Sequence, residues 1–245
     1  MKSLPFLNIF KNPFKIYELA IMNRWLVRNK RATVLDFGCG KGLQAIINSY
    51  KFNKIICIDP KEESIIIART NILNKIRSGE IQYYAKKIEE MGFENDSFDG
   101  IVSYCVLEHI ENYPAVLAEL FRIVKQGGWI LLSIDSLAVI QDPVLLQKHA
   151  TQFHVVKYFR MNEIKEICAS AGFDNIQAQP ILVSSYAEEL FKKALHISFE
   201  FGVFTGFIAT IKLFIHERFK KRENEGLFII VRAYKNGGGV SRLSN

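Results

Sequence analysis

Metal-binding cysteine pairs are missing from this chain of 245 residues. Its four cysteines, Cys39, Cys57, Cys105 and Cys168, form no C-x-x-C pair. We therefore predict no metal site. Free cysteines beside apolar segments behave as small hydrophobic residues, so we expect reduced thiols in a reducing compartment.

Long apolar runs are missing as well. Even in the strongly apolar segment around residue 206, only eleven uncharged residues separate Glu200 from Lys212, whereas a membrane-spanning helix needs about 20. Residues 1–14 lack the continuous apolar stretch and cleavage site of a signal peptide. We expect a cytoplasmic protein.

No long tract of lysine and arginine occurs, although the net charge is +7 and the pI is about 9.1. An ordinary lysine-rich surface explains this excess, and a polyanionic partner remains the alternative. With 49% hydrophobic and 23% charged residues, the chain has the composition of a soluble enzyme.

Short β-rich segments alternate with helical ones, which predicts an α/β fold with a doubly wound, mostly parallel, seven-stranded sheet. The predicted strands are 33–37, 54–59, 81–84, 98–104, 129–134, 176–183 and 227–234, and the predicted helices are 14–30, one from 43 onward, 62–76, 113–124 and 162–171. One domain is predicted over 1–235, with a flexible tail at 236–245.

A glycine loop follows the first predicted strand, in the sequence Val34 to Gly42. A dinucleotide-binding loop has the pattern G-x-G-x-x-G, but here Leu43 takes the place of the third glycine. The loop is preceded by Asp36, and a second acid, Asp59, ends the second strand. A carboxylate at the first position suits a cationic ligand better than a pyrophosphate, and one at the second can accept bonds from ribose hydroxyls.

With these features the chain resembles the class I S-adenosylmethionine-dependent methyltransferases, within them the small-molecule branch typical of ubiquinone biosynthesis. The resemblance implies the Rossmann-like methyltransferase fold and S-adenosylmethionine as the cofactor. The stretches that carry it are 34–42, 56–60, 95–110, 121–132 and 159–173.

The resemblance also implies roles for single positions. The glycines would surround the methionine part of the cofactor, Asp59 would hold the ribose, and Glu108 and His109 would lie on the acceptor side. The predicted cofactor-binding residues are Asp36, Phe37, Gly38, Cys39, Gly40, Gly42, Asp59, Pro60, Lys87, Ile88, Ser103, Tyr104 and Glu108.

One position departs from the family pattern. Relatives often place an aspartate after the third strand to bind the adenine amine, but here the residue is Lys87, followed by Ile88. Lysine cannot accept a hydrogen bond. Glu89 or Glu90 is a possible substitute, and the backbone N–H of Ile88 is another contact for the ring.

Methyl transfer to a hydroxyl needs alignment and usually a base with a pKa near neutrality, most often histidine. The predicted catalytic candidates are His109, after the fourth strand, and His149 and His154, after the fifth. A structural role on the pocket wall or on the surface is the alternative for each. The motif of DNA amino-methyltransferases is absent, since Ser103 to Val106 stands in its place.

Residues 184–226 form a helical insertion before the last strand. An apolar stripe recurs every three or four positions from Leu190 to Ile215, and a basic stretch, 218–222, follows. The favoured interpretation is a cap over the acceptor pocket or a homodimer contact, and a helix lying on a membrane surface is the alternative.

These features predict methyl transfer to a small-molecule acceptor, most simply a hydroxyl on a glycosyl, lipid-linked or natural-product substrate. Two alternatives stay open: a cofactor-binding interaction or regulatory protein without turnover, suggested by Lys87, and an RNA methyltransferase, suggested by the positive charge.

Overall fold

The computed structural model describes residues 9–71, 79–219 and 225–236. Seven strands and eight α-helices are found there. The strands are β1 (Asn29–Phe37), β2 (Phe52–Ile58), β3 (Glu80–Tyr84), β4 (Phe98–Tyr104), β5 (Val124–Asp135), β6 (Asp174–Ile181) and β7 (Phe228–Tyr234). The helices are α1 (Pro13–Trp25), α2 (Leu43–Asn48), α3 (Glu62–Thr70), α4 (Tyr113–Ile123), α5 (Pro143–Phe153), α6 (Met161–Ser170), α7 (Ser185–His196) and α8 (Val203–Arg218).

The strands form one sheet in the order β3-β2-β1-β4-β5-β7-β6. All neighbouring pairs are parallel except those of β7, which runs antiparallel to β5 and β6. The predicted α/β fold with a mostly parallel seven-stranded sheet is confirmed. From β1 the chain builds the sheet outward through β2 and β3 on one side, and then returns to add β4 and β5 on the other side. In such sheets ligands bind in the crevice between the two adjacent strands at which this reversal occurs, here β1 and β4.

The core explains why the central strands are almost entirely apolar. Val34 and Leu35 are both fully buried, yet they belong to two different apolar clusters, one on each face of the sheet. Successive side chains of a strand point to opposite faces, and helices cover both faces here. A strand in this position needs an apolar run rather than an alternating pattern.

Several boundaries differ from the sequence prediction. The first helix ends at Trp25, and residues 29–30 already belong to β1. The predicted helix 113–124 corresponds to α4, which ends at Ile123, and β5 begins at Val124, five residues before the predicted strand start at 129. Part of the predicted helix 62–76 and all but the first residue of the predicted tail lie outside the described residues.

The insertion is two helices rather than one continuous stripe. Ser198 and Phe199, with φ of 51° and 60°, lie between α7 and α8 and break the helical path. As a result the predicted apolar stripe is divided between the two helices. Leu190 on α7 is buried, whereas Ile211 and Ile215 on α8 are exposed. Among the described residues, no helix is long and apolar enough to cross a membrane.

Candidate functional site

A cavity of about 910 Å³ opens at the carboxyl ends of β1, β2 and β4. This is the crevice at which the order of the strands reverses. The predicted site residues that line it are Phe37, Gly38, Cys39, Gly40, Asp59, Pro60, Lys87, Ile88, Tyr104, His109 and His154. The predicted site residues Asp36, Gly42, Ser103, Glu108 and His149 do not line it.

The glycine loop is tied to the end of β2. The backbone N–H groups of Gly38 and Cys39 donate to the carbonyl of Ile58 at 2.9 and 3.0 Å. Gly40 N–H donates to Oδ2 of Asp59 at 2.9 Å, and Lys61 N–H donates to Oδ1 at 2.9 Å. Asp59 thus shapes the loop, and each carboxylate oxygen keeps a second lone pair for a ligand.

Two of the loop glycines have different surroundings. A Cβ on Gly38 would lie 2.3 Å from Cγ2 of Val106, so only glycine lets the loop approach the segment after β4. A Cβ on Gly40 would meet no atom within 4 Å. Gly40 also lines the cavity, so the open space beside it is available to a ligand that approaches the backbone.

Asp36 is a buried carboxyl without a hydrogen-bond partner. Its side chain is fully buried, and neither carboxylate oxygen has a partner among the described residues. Burial raises its pKa to about 7, although Lys15 acts in the opposite direction. An unpartnered buried carboxylate is costly, and a cationic group in the adjacent cavity would offset that cost.

Lys15, on α1, is a cavity residue that the sequence analysis missed. Its Nζ lies 2.9 Å from a carboxylate oxygen of Glu18 and 4.9 Å from the ring centroid of Tyr104. Burial lowers the pKa of Lys15, but Glu18 and the other anionic neighbours outweigh it and the net shift is upward. Nothing in the local sequence distinguishes this lysine, because only the packing of α1 over β4 and β5 brings it to the cavity.

Ser103 and Tyr104, the two predicted cofactor-binding residues at the end of β4, have different surroundings. Tyr104 lines the cavity, and its hydroxyl accepts a hydrogen bond from Nδ2 of Asn48 at 3.0 Å. Ser103 is buried instead, and its hydroxyl donates to the carbonyl of Phe37 at 2.9 Å. Ser103 therefore joins β4 to β1 and shapes the site from behind.

The cavity wall after β3 consists of residues 86–89. Glu90 is engaged locally, because its side chain accepts from Lys87 N–H at 2.9 Å. Glu89 lines the cavity. Of the two acids that could replace the missing aspartate, Glu89 is the one with access to a ligand.

His109 and His154 meet at the cavity wall. Nδ1 of His109 lies 3.2 Å from the carbonyl oxygen of His154. A carbonyl only accepts, so Nδ1 carries the proton and Nε2 is the basic nitrogen. Burial lowers the pKa of His109, which keeps the imidazole neutral near pH 7.

His149 lies elsewhere, although the sequence analysis grouped it with the other two. It is buried, its Nδ1 is 2.8 Å from the hydroxyl of Tyr158, and its ring packs against Phe153, Phe191 and Phe199. Burial lowers its pKa to about 4. The structure thus places His149, on α5, in an aromatic core against Phe191 of α7, and it does not line the cavity.

Glu108 belongs to a buried group of acids behind Cys105. Its Oε1 accepts from Asp135 N–H at 3.2 Å, and its Oε2 has no partner among the described residues. Glu18 accepts hydrogen bonds from the Cys105 thiol, at 3.3 Å, and from Ser133. Burial, with repulsion from Asp135, raises the pKa of Glu108 well above its usual value. Glu108 supports the site and does not reach the cavity.

The family comparison adds independent information. The model of the family described as "Methyltransferase domain" matches residues 14–178. A ubiquinone biosynthesis O-methyltransferase of Paracidovorax citrulli is 28% identical over 155 residues, which cover 60% of this chain and 65% of the relative. A tRNA U34 carboxymethyltransferase of Sulfurovum is 25% identical over 195 residues, which cover 73% of this chain and 64% of the relative. The matches span just under two thirds of these relatives.

Solved structures with the same fold include a methyltransferase of Thermotoga maritima titled as a possible histamine N-methyltransferase. It has a TM-score of 0.63 and 18% identity, and the alignment covers 94% of this chain and 92% of that one. A phosphoethanolamine N-methyltransferase of Haemonchus contortus, in complex with S-adenosyl-L-methionine, has a TM-score of 0.64 and 17% identity. That alignment covers 91% of this chain and 53% of the other.

Proposed function

Because this chain belongs to the methyltransferase-domain family, we propose that it transfers a methyl group from S-adenosylmethionine to a hydroxyl of a small molecule. The observation that carries the proposal is the unpartnered carboxyl of Asp36 behind a cavity that also contains the open side of Gly40. These residues fit a ligand with a cationic amine and sulfonium that approaches the loop backbone closely.

Four residues would hold the cofactor. Asp36 provides negative charge for the cationic end, and Lys15 provides an ammonium group at the cavity wall for the carboxylate. Asp59, held by Gly40 and Lys61, accepts from the ribose hydroxyls through its remaining lone pairs. Glu89 supplies an acceptor for the adenine amine in place of Lys87. When bound, S-adenosylmethionine supplies a methyl group on a good leaving group.

The chain contributes alignment and a base. The cavity orients the acceptor against the methyl group, and such alignment is worth about 7–11 kcal/mol in favourable cases. Nε2 of His109 takes the proton from the acceptor hydroxyl, since Nδ1 is bonded to the carbonyl of His154. His154 lines the same wall and contacts the acceptor. We assign His149 a packing role.

The relatives, rather than the cavity, support the choice of acceptor. The relatives named O-methyltransferases motivate a hydroxyl, and glycosyl, lipid-linked and natural-product hydroxyls are the three substrate classes proposed. Contact with a homodimer partner through the insertion stays a prediction, as does cytoplasmic localisation.

Calorimetric titration with S-adenosylhomocysteine, with NADH as the control ligand, tests the cofactor. We expect saturable binding of the first alone. Asp36→Asn and Asp59→Asn should each weaken it at least about tenfold, because the first removes a negative charge behind the cavity and the second weakens the charge-assisted hydrogen bonds to the ribose hydroxyls. Glu94→Gln, at an exposed acid away from the cavity, is the matched control. No binding to the wild-type protein, or full binding by both folded variants, would overturn the proposal.

The acceptor is tested by methyl transfer from labelled S-adenosylmethionine to panels of hydroxyl, amine and RNA acceptors. We expect label in the hydroxyl panel. Label found only in amines or RNA would contradict the O-methyltransferase part while leaving the cofactor part intact. Cofactor binding without transfer to any panel would favour an interaction protein.

A further inference from the structure

The outer face of α8 is an apolar stripe. Each of its large side chains has another member three or four residues away, which places them on one side of the helix. The members of this stripe, with their exposed fractions, are Phe204 (74%), Phe207 (43%), Ile208 (38%), Ile211 (46%), Ile215 (53%) and Phe219 (75%). Exposure of several large residues on one helix face is unusual for a protein surface and marks an interaction site.

The opposite face of α8 fixes the orientation of the stripe. Gly206, Ala209 and Leu213 are buried on the side that meets α1 and α7. A Cβ on Gly206 would lie 1.9 Å from the carbonyl oxygen of Phe10, so the helix sits directly on the chain before α1. Glu217 accepts hydrogen bonds from the backbone N–H groups of 183 and 184, at 3.1 and 2.8 Å. The helix cannot turn its stripe inward without losing these contacts.

The exposed charges of α8 itself have one sign. The exposed charged residues of α8 are Lys212 and Arg218, whereas its one acid, Glu217, is buried and engaged. The whole chain carries a net charge of +7. Apolar side chains flanked by cations are complementary to an anionic lipid surface, in which headgroups lie beside the acyl region.

The other two interpretations fit less well. A cap over the acceptor pocket has no residue to support it in the described part of the insertion, because none of these residues lines the cavity. A dimer formed through the stripe fits less well. Sixteen helical residues make a face only about 24 Å long and about 10 Å wide, so a stable dimer, which buries about 800 Å² of accessible surface on each partner, would need further surfaces beside the stripe.

We propose that α8 is an interfacial helix that holds this protein on anionic lipid membranes. The helix lies parallel to the surface with its stripe among the upper acyl chains and Lys212 and Arg218 at the headgroups. This helix is not long and apolar enough to cross a bilayer, but an interfacial helix needs only to reach about 5–10 Å into it. The inference does not depend on the proposed methyl transfer, since the stripe and the cavity share no residue.

Flotation of the full chain with vesicles tests the proposal. We expect binding to vesicles of phosphatidylcholine with phosphatidylglycerol, and much weaker binding to phosphatidylcholine alone. The variant Phe204→Ser/Ile211→Ser/Ile215→Ser should bind at least about a hundredfold more weakly, because each lost apolar contact costs about tenfold. The matched control, Val27→Ser/Val144→Ser, replaces two side chains that are 77% and 74% exposed on other surfaces and should bind like wild type.

Two further measurements keep the result unambiguous. Binding of S-adenosylhomocysteine by the triple variant reports on folding and separates this inference from the proposed function. Sedimentation equilibrium reports on self-association. Three results would each overturn the proposal. The wild-type protein does not bind anionic vesicles, the triple variant still binds them, or the wild type forms a dimer that the same three substitutions abolish.

Discussion

Nδ1 of His109 lies 3.2 Å from the backbone carbonyl oxygen of His154, a contact that joins the segment after β4 to the end of α5. The contact fixes the tautomer of His109 and places two of the three predicted catalytic histidines on one cavity wall. The backbone of His154, rather than its side chain, orients the proposed base.

Replacing His109 with Gln should lower kcat by about 10²–10⁴, the usual contribution of a general base, with little effect on the affinity for S-adenosylhomocysteine. Because burial lowers the pKa of His109, the wild-type rate should rise with pH only in the acid range, level off below the pKa of an ordinary histidine and then stay constant. Rate–pH profiles of both proteins check this, with His196→Asn as the control. If the rate of His109→Gln still falls at low pH as the wild-type rate does, another group is the base.

Alanine at two loop glycines should act through different causes: a clash inside the protein at Gly38 and blocked access for a ligand at Gly40. Gly38→Ala should destabilise the fold by about 1–3 kcal/mol or more, because the new Cβ would lie 2.3 Å from Val106. Gly40→Ala has open space around it and should cost only about 1–2 kcal/mol for its left-handed backbone, while weakening S-adenosylhomocysteine binding at least tenfold, about 1.4 kcal/mol.

Thermal unfolding and calorimetry together measure these two effects. Val106→Ala in the Gly38→Ala background should restore part of the stability, since it removes the atoms that clash. Normal binding by Gly40→Ala would show that a ligand does not approach the loop there.

Asp36 should make the stability of the unliganded protein depend on pH. Burial raises its pKa from 3.8 to about 7, so the folded protein keeps a proton that the unfolded chain releases. The contribution of this group is therefore complete below about pH 4, falls as the pH rises toward 7 and is constant above it. The loss is on the order of a few kcal/mol.

Urea unfolding at pH 5 and pH 8 measures this loss, and Asp36→Asn should reduce the difference between the two values. Glu94→Gln should leave it unchanged. If the free energy of unfolding of Asp36→Asn differs between pH 5 and pH 8 as much as that of the wild type, other buried acids cause the pH dependence.

The purified protein should contain no stoichiometric metal ion, although ligand atoms of Cys105, Glu108 and Asp135 lie within 4.8 Å of one another. Burial raises the pKa of all three groups, that of Asp135 to about 7, and protonated groups are poor metal ligands. Metal analysis, and unfolding with and without a chelator, check this. One ion per chain that both Cys105→Ser and Glu108→Gln remove would contradict it.

Much of the sheet and of the glycine loop was predictable, because both depend on short local patterns. Strand 98–104 was predicted with the bounds that the structure gives it. Helix α5 was missed because it buries only His149 and so shows little apolar periodicity. Its start did carry a signal: the side chain of Asp142 caps the helix, accepting from the N–H of Val144 at 2.9 Å, and Pro143 follows it.

The sequence by itself determined the order of the seven strands along the chain, the acid–glycine loop and the two acids at strand ends, since each follows from residues adjacent in the chain. Only the tertiary structure decided which residues meet around the loop. It brought Lys15 to the cavity, turned His149 into the aromatic core, and left the stripe of α8 outside. These outcomes depend on how helices pack on the sheet, a long-range property that no local spacing encodes.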